Sequence, residues 1–110
     1  MSRDLLGLEG KIVMVTGAGG SIGSELCRQI ARVGPRRLVL FEMSELALYS
    51  IERELQLLAR HEGFNLEVTA LLGNAHHRNR LIEIMQAYGV QTIYHAAAYK
   101  HVPILEQDNT

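Results

Sequence analysis

The protein has 110 residues, with 11 basic and 12 acidic side chains and a formal net charge of −1 at pH 7. That length accommodates one domain, and the near-neutral charge gives no electrostatic reason to expect nucleic acid or an anionic membrane as a partner. The single cysteine cannot form an internal disulfide, and no apolar run is long enough to span a bilayer or to form a signal peptide. The composition therefore predicts a small cytoplasmic domain.

Short apolar runs alternate with segments of helical periodicity along the whole chain. The runs typical of buried strands are residues 11–16, 37–42, 67–72 and 91–95. The apolar stripes typical of helices are Ile22, Leu26, Ile30 and Val33; Leu48, Ile51, Leu55 and Leu58; and Leu81, Ile84, Met85 and Tyr88. Gly34 and Pro35 end the first predicted helix, Ser44 is the expected N-cap of the second, and Pro103 marks the expected start of a fourth.

This β-α-β-α-β-α-β order predicts an α/β fold. Because crossovers between parallel strands are right-handed, the strands should form a parallel sheet with helices on both faces. Residues 1–9 show no periodicity and are expected to be a flexible arm. Residues 10–110 should form the domain itself.

The first strand-to-helix turn, residues 16–23 (TGAGGSIG), has the composition of a phosphate-binding loop. Gly17 lets the chain turn sharply, Gly20 lets the backbone approach a pyrophosphate, and Gly23 lets the helix pack closely on the strand. The following helix N-terminus offers N–H groups and the positive end of its dipole to phosphates. A glycine triplet can also be an ordinary flexible turn, but the strand before it and the helix after it favour a dinucleotide site.

Glu42 lies at the end of the second predicted strand. A carboxylate there can accept hydrogen bonds from both hydroxyls of an adenosine ribose, and it repels a 2′-phosphate. No Arg or Lys occurs in residues 43–45, so the sequence favours NAD over NADP. The alternative, an acid that serves only the next helix N-terminus, is weakened because Ser44 is the better cap.

The spacing T-G-x-x-G-x-x-G, together with HAAA at residues 95–98, resembles the extended short-chain dehydrogenase/reductase superfamily. Three strings narrow the resemblance to the polysaccharide-biosynthesis nucleoside-diphosphate-sugar 4,6-dehydratases and epimerases: residues 19–27 (GGSIGSELC), 38–49 (LVLFEMSELALY) and 95–103 (HAAAYKHVP). The resemblance covers roughly residues 10–110. It implies part of a Rossmann-type doubly wound sheet, with four parallel strands in the order 3-2-1-4, that binds NAD.

The resemblance also implies cofactor contacts at the ends of the strands. Ser21 and Ile22 would contact the pyrophosphate, and Glu42 the ribose. Asn74 stands where many relatives use Asp to hold the adenine amino group, and the N–H of Ala75 would serve adenine N1. The residues implied beside the fourth strand are Ala96, Ala97, Ala98, Tyr99 and Lys100. Lys100 matches a lysine that related epimerases place on NAD, and a flexible ammonium suits a phosphate or ribose site.

Two pairs of adjacent residues are not expected to form a metal site or a catalytic site. His76 and His77 are adjacent at a helix start, where their side chains point apart, so we expect no metal site. Tyr99 and Lys100 are also adjacent, so they are not the Tyr-x-x-x-Lys catalytic pair of the superfamily. We expect no catalytic residue in this chain.

The resemblance implies a reaction on a UDP- or dTDP-type sugar nucleotide. Hydride leaves C4 of the hexose, water leaves across C5–C6, and hydride returns to C6. The acid and base follow the fourth strand in that family, so the chain ending at Thr110 should hold only the cofactor-binding half.

The alternatives are a sugar-nucleotide 4-epimerase fragment and a non-catalytic nucleotide-binding remnant; the HAAA string opposes a methyltransferase. An unpaired strand edge at 91–95 predicts self-association, consistent with a homo-oligomer.

Overall fold

The computed structural model of the protein describes residues 3–96. Its elements are a 3₁₀-helix (Arg3–Leu8), β1 (Ile12–Thr16), α1 (Ser21–Val33), β2 (Arg37–Glu42), α2 (Glu45–Glu62), β3 (Val68–Leu72), α3 (Arg78–Tyr88) and β4 (Thr92–His95). The strands form one parallel sheet in the order β3-β2-β1-β4. The predicted α/β fold class and strand order are therefore confirmed, with strand bounds within one residue of those expected.

The two central strands are the most deeply buried elements. Residues 13–16 of β1 and 38–41 of β2 are all buried, because each strand has a neighbour on both sides and helices cover both faces of the sheet. β3 pairs only with β2 among the described residues and is half-buried, with its last residue, Leu72, exposed. The site-bearing ends of β1 and β2 thus project from the most rigidly packed part of the sheet.

The helices divide between the two faces as right-handed crossovers require. The connections from β1 to β2 and from β2 to β3 run in the same direction across the sheet, so α1 and α2 share one face. Their core includes Cys27, Ile30, Leu48 and Leu55. The connection from β3 to β4 runs back, so α3 covers the other face, where Leu81 and Ile84 pack on Met14, Val39 and Phe41.

The buried face of α1 differs from the predicted stripe. Its buried residues are Gly23, Cys27, Ile30 and Ala31, whereas Ile22 is 42% exposed. The reason is that α1 packs against the turn after β1 at Gly23, where a Cβ would overlap the carbonyl of Gly17. Since consecutive helical residues are about 100° apart around the axis, placing Gly23 inward turns Ile22 toward the surface.

The N-terminal segment also differs from the prediction. Where a flexible arm was expected over residues 1–9, Arg3–Leu8 form a 3₁₀-helix in which Leu5 and Leu8 are buried with the α1 and α2 core. Residues three apart lie on the same side of such a helix, so two leucines suffice to hold it. The Gly10 N–H then donates to the Gly34 carbonyl at 2.9 Å, which fixes the entry into β1.

The helix ends follow the expected capping chemistry. The Ser44 hydroxyl accepts a hydrogen bond from the Ala47 N–H at 3.2 Å, as predicted for an N-cap. Gly34 ends α1 in the left-handed region, with φ of 91°. Within residues 3–96, none of the helices combines the length and the apolar character that a membrane span needs.

Candidate functional site

A cleft of about 370 Å³ lies at the carboxyl edge of the sheet. The carboxyl ends of parallel strands meet at one edge, so the segments that follow β1, β2 and β4 converge there. The residues that line the cleft are Gly17, Gly19, Gly20, Ser21, Ile22, Gly23, Glu42, Ala47 and Ala96. The structure thus brings together the predicted glycine turn, the predicted acid and the first residue after β4.

Two glycines of the turn have the backbone roles that the sequence predicts. Gly17 has a φ of +67°, which L side chains rarely adopt, and its N–H donates to the Phe41 carbonyl at 2.8 Å. Gly23 leaves room for the Gly17 carbonyl, which any side chain at position 23 would overlap. The turn is therefore tied to β2 at one end and pressed against α1 at the other.

Gly20 is the N-cap of α1 and lies on the wall of the cleft. A Cβ built on it would meet only the Gly17 carbonyl oxygen, at an ordinary 3.5 Å. Gly20 has no side chain to cap the helix, and the first bond from the helix runs from the Ser24 N–H to the Gly20 carbonyl at 2.8 Å. The N–H groups of residues 21–23 precede that bond and have no helical acceptor, so this helix end can donate to an anion.

The Glu42 side chain reaches across the cleft mouth to the glycine turn. Its Oε1 accepts the Gly19 N–H at 2.8 Å, and its Oε2 accepts the Ser44 N–H at 2.9 Å. A carboxylate offers about four acceptor positions, so both oxygens retain capacity for a donor from a ligand. Glu42 therefore lies at the cleft, at the end of β2, and its contact with a ribose stays a prediction.

Asn74 and Ala75 do not line the cleft. The Asn74 Oδ1 accepts the His76 N–H at 2.8 Å, a local turn that leads into α3. The Ala75 side chain packs with the core beneath α3. Gly73 donates its N–H to the Glu42 carbonyl at 3.0 Å, so this segment is adjacent to the end of β2 but outside the cleft.

At the other side of the cleft, β1 and β4 are joined by a side-chain hydrogen bond. The buried Thr16 Oγ1 lies 3.2 Å from His95 Nδ1, and Thr16 and His95 are register partners. Ala96 follows and lines the cleft. The other predicted contacts in this segment, Ala97, Ala98, Tyr99 and Lys100, lie outside the described residues, as does the helix expected at Pro103.

Sequence reasoning missed two residues of the cleft, Gly19 and Ala47. A Cβ on Gly19 would come within 2.5 Å of the Ala47 Cβ, so the start of α2 rests directly on the glycine turn. Both residues are small, which is the only signal that the sequence gives for this contact. Across the described part of the chain, no three His, Cys, Asp or Glu side chains are grouped as a metal site requires.

A doubly wound parallel sheet with a T-G-x-x-G-x-x-G turn after β1 and an acid at the end of β2 defines a Rossmann-type domain of the short-chain dehydrogenase/reductase class. The family model described as "Polysaccharide biosynthesis protein" matches residues 13–110. The chain belongs to this family, as its sequence resemblance indicates.

Two curated relatives have names that agree with the family. The chain is 39% identical over 99 residues to the capsular polysaccharide biosynthesis protein CapD of Staphylococcus aureus. It is 40% identical over 102 residues to the probable polysaccharide biosynthesis protein EpsC of Bacillus subtilis. These matches cover 90% and 92% of this chain but only 16% of each relative. The chain therefore spans about a sixth of the length of these relatives.

Solved structures share the fold at low sequence identity. Pen from Bacillus thuringiensis is 22% identical, with a TM-score of 0.65 over 93% of this chain and 28% of that one. The C-domain of a bacterial malonyl-CoA reductase, solved with NADP, is 19% identical, with a TM-score of 0.62 over 84% and 16%. An oxidoreductase from Haemophilus influenza with bound NAD is 19% identical, with a TM-score of 0.57 over 83% and 32%. At these identities the likeness establishes the fold.

Proposed function

We propose that this chain is the NAD-binding portion of a nucleoside-diphosphate-sugar 4,6-dehydratase that acts in the synthesis of capsule or O-antigen polysaccharide. The observation that carries the proposal is the position of Glu42, whose carboxylate faces an uncapped helix N-terminus across one cleft. Membership of the polysaccharide biosynthesis family supplies the pathway class. Two structures of this fold contain NAD or NADP, which supports a nicotinamide cofactor.

The cleft fits a dinucleotide in three respects. The open side of Gly20 leaves space where a side chain would block a pyrophosphate. The amides of Ser21 and Ile22 can donate to its oxygens. Glu42 keeps acceptor capacity for the adenosine hydroxyls. A bound nicotinamide would supply reversible hydride transfer, and the residues of this chain would hold and orient it.

The lining of the cleft favours NAD over NADP. Among the described residues that line it there is no Arg or Lys, and Glu42 is the charged group. A 2′-phosphate placed near Glu42 would meet a negative charge without a cationic partner, which is costly away from bulk water. Arg36 and Arg37 stand at the opposite end of β2.

Calorimetric titration of the protein with NAD and with NADP tests the cofactor assignment. We expect NAD to bind at least ten times more tightly than NADP, which needs a difference of only about 1.4 kcal/mol. The Glu42→Ala variant should lose most of this preference. Glu45→Ala is the matched control, because Glu45 is an exposed carboxylate in the first turn of α2 that does not line the cleft. Equal affinity of the unmutated protein for the two cofactors would refute the assignment.

Because the acid and base are expected beyond this chain, the substrate is tested by mass spectrometry of sugar nucleotides incubated with a longer protein that contains this chain and those residues. A 4,6-dehydratase converts a UDP- or dTDP-hexose into a 4-keto-6-deoxy product that has lost the mass of one water. A 4-epimerase gives an isomer of unchanged mass but different chromatographic retention. Binding of NAD by this longer protein without any conversion would instead favour a nucleotide-binding remnant. A homo-oligomer is part of the same proposal, and sedimentation of the protein with and without NAD tests it.

A further inference from the structure

The Glu42 carboxylate makes two backbone hydrogen bonds that join separate segments at the cleft mouth. One oxygen accepts the N–H of Gly19 in the glycine turn, and the other accepts the N–H of Ser44 at the start of α2. At 2.8 Å and 2.9 Å, both have the lengths of charge-assisted hydrogen bonds, which are stronger than neutral ones. The side chain therefore has a structural role within the protein itself.

Two further contacts complete the same arrangement. The Ser44 hydroxyl accepts the N–H of Ala47, and the Ala47 methyl group lies against Gly19. Gly19 is thus fixed by the carboxylate at its amide and by a methyl group at its α-carbon. Gly19 directly precedes Gly20, the N-cap of α1, so any movement of Gly19 also moves the amides that face the cleft.

We infer that Glu42 is a positioning residue for the phosphate-binding turn, in addition to its contact with the ribose. This inference rests on the proposed nucleotide site. The carboxylate holds the turn in its binding shape before a nucleotide arrives, and such preorganisation reduces the cost of ordering the site on binding. The affinity for a nucleotide that lacks the ribose hydroxyls, and so cannot donate a hydrogen bond to Glu42, should therefore still depend on Glu42.

The decisive probes are ADP and 2′,3′-dideoxy-ADP, which carry the same diphosphate but differ in the ribose hydroxyls. The decisive variants are Glu42→Gln and Glu42→Ala. Both remove the negative charge, but Gln keeps an oxygen that can accept the Gly19 N–H, whereas Ala keeps neither acceptor. We expect 2′,3′-dideoxy-ADP to bind Glu42→Ala at least fivefold more weakly than Glu42→Gln in calorimetry. The control Glu45→Ala should bind it as the unmutated protein does.

The outcomes separate this inference from the proposed function. Equal affinity of the two Glu42 variants for 2′,3′-dideoxy-ADP, with ADP still bound by the unmutated protein, would overturn the positioning role alone. Failure of the unmutated protein to bind either nucleotide would overturn both. A second measurement needs no variant: in the unliganded protein, NMR should show the Gly19 amide protected from hydrogen exchange. Rapid exchange of that amide would also overturn the positioning role.

Discussion

The α-carbon of Gly19 rests against the side chain of Ala47, so closely that a Cβ at position 19 would lie 2.5 Å from the Ala47 Cβ and 3.0 Å from its backbone. Gly19 belongs to the turn after β1, and Ala47 to the first turn of α2. This contact couples the shape of the cleft to the placement of a helix on the next β-α unit. It requires a glycine for packing rather than for backbone conformation, because Gly19 is absent from the residues with positive φ.

The first prediction is that Gly19→Ala destabilises the protein by about 1–3 kcal/mol, the usual cost of forcing an extra methyl group into a packed contact. The neighbours are the Cβ and the backbone of Ala47 in α2, which cannot move aside cheaply. The free energy of unfolding, from urea denaturation, measures the effect. In the double variant Gly19→Ala/Ala47→Gly the 2.5 Å overlap with the Ala47 Cβ is removed and only the 3.0 Å backbone contacts remain, so the two substitutions should couple favourably. Strictly additive effects would contradict the packing explanation.

The second prediction concerns Gly20, where, unlike at Gly19, an added Cβ would make only an ordinary contact. Its substitution by Ala creates no clash within the protein, so we expect a loss of stability of only about 1 kcal/mol or less, from the poorer N-cap. The added methyl group lies at the wall of the cleft and should weaken binding of NAD or ADP at least tenfold. Comparison of the melting temperature with the calorimetric affinity separates the two effects. A Gly20→Ala variant with unchanged nucleotide affinity would show that the phosphates lie elsewhere.

Much of this architecture could be predicted from the sequence because its signals are local. Short runs of five or six residues define the strands, three of them ended by Gly or an acid, and Ser44 is a cap by its chemistry alone. The positions of Gly17, Gly23 and Glu42 follow from one strand-turn-helix pattern. These signals are sufficient to place one wall of the cleft and its acid.

The features that could not be predicted depend on contacts between distant segments. The contact of Gly19 with Ala47 exists only when α1 and α2 lie side by side, and small residues give no periodic signal. The N-terminal 3₁₀-helix is similar, since Leu5 and Leu8 are too few to show a pattern and are held by the core of other elements. The local hydrogen bond of Asn74 is a further such feature: its amide oxygen accepts the His76 N–H, a use that is common for this residue, and its contact with adenine stays a prediction.

The third prediction is that Cys27 is chemically inert in the folded protein. The thiol is fully buried on α1, and this burial raises its pKa from 9.0 to about 12, so the reactive thiolate is absent at pH 8. Alkylation by iodoacetamide, followed by mass spectrometry of the peptide that contains Cys27, should be at least a hundredfold slower than in urea. Because the pKa is raised, this group favours the folded state below about pH 9, and that contribution falls as the pH rises toward 12. Rapid labelling of the native protein would contradict the packed position.

The fourth prediction concerns the ion pair between Arg32 and Glu62, whose Nη2 and Oε2 atoms are 3.1 Å apart on the outer surface of α1 and α2. The hydrogen bond from Arg32 lowers the pKa of Glu62 below its ordinary 4.5. The pair therefore stabilises the folded state above about pH 4.5, and this stabilisation is lost as the pH falls through the lowered pKa. The effect is small because both side chains are exposed and screened.

Urea denaturation of Glu62→Gln at neutral and acidic pH tests the direction of this pH dependence of stability. The variant should be slightly less stable than the unmutated protein at pH 7, and the difference should shrink as the pH falls through the lowered pKa and vanish once the carboxyl is protonated in both states. Glu83→Gln is the matched control, because Glu83 is an exposed acid on α3 and forms no ion pair with the side chains that the structure describes, those of residues 5–96. A difference for Glu62→Gln that grows in acid would contradict the assignment.

The fifth prediction is that the hydroxyl of Thr16, rather than its volume, orients His95 beside the cleft. Thr16→Val keeps the shape of the side chain but removes the hydrogen bond to Nδ1, and it should cost about 1 kcal/mol of stability. Thr16→Ser keeps the hydroxyl and loses a methyl group, at a similar cost of about 1 kcal/mol, so stability alone does not distinguish the two. The ¹⁵N chemical shifts of the His95 ring, which report the balance between its two tautomers, distinguish the two variants. This balance should change in the Val variant and should remain that of the unmutated protein in the Ser variant. The same change in both variants would show that packing around Thr16, and not its hydrogen bond, sets the state of the His95 ring.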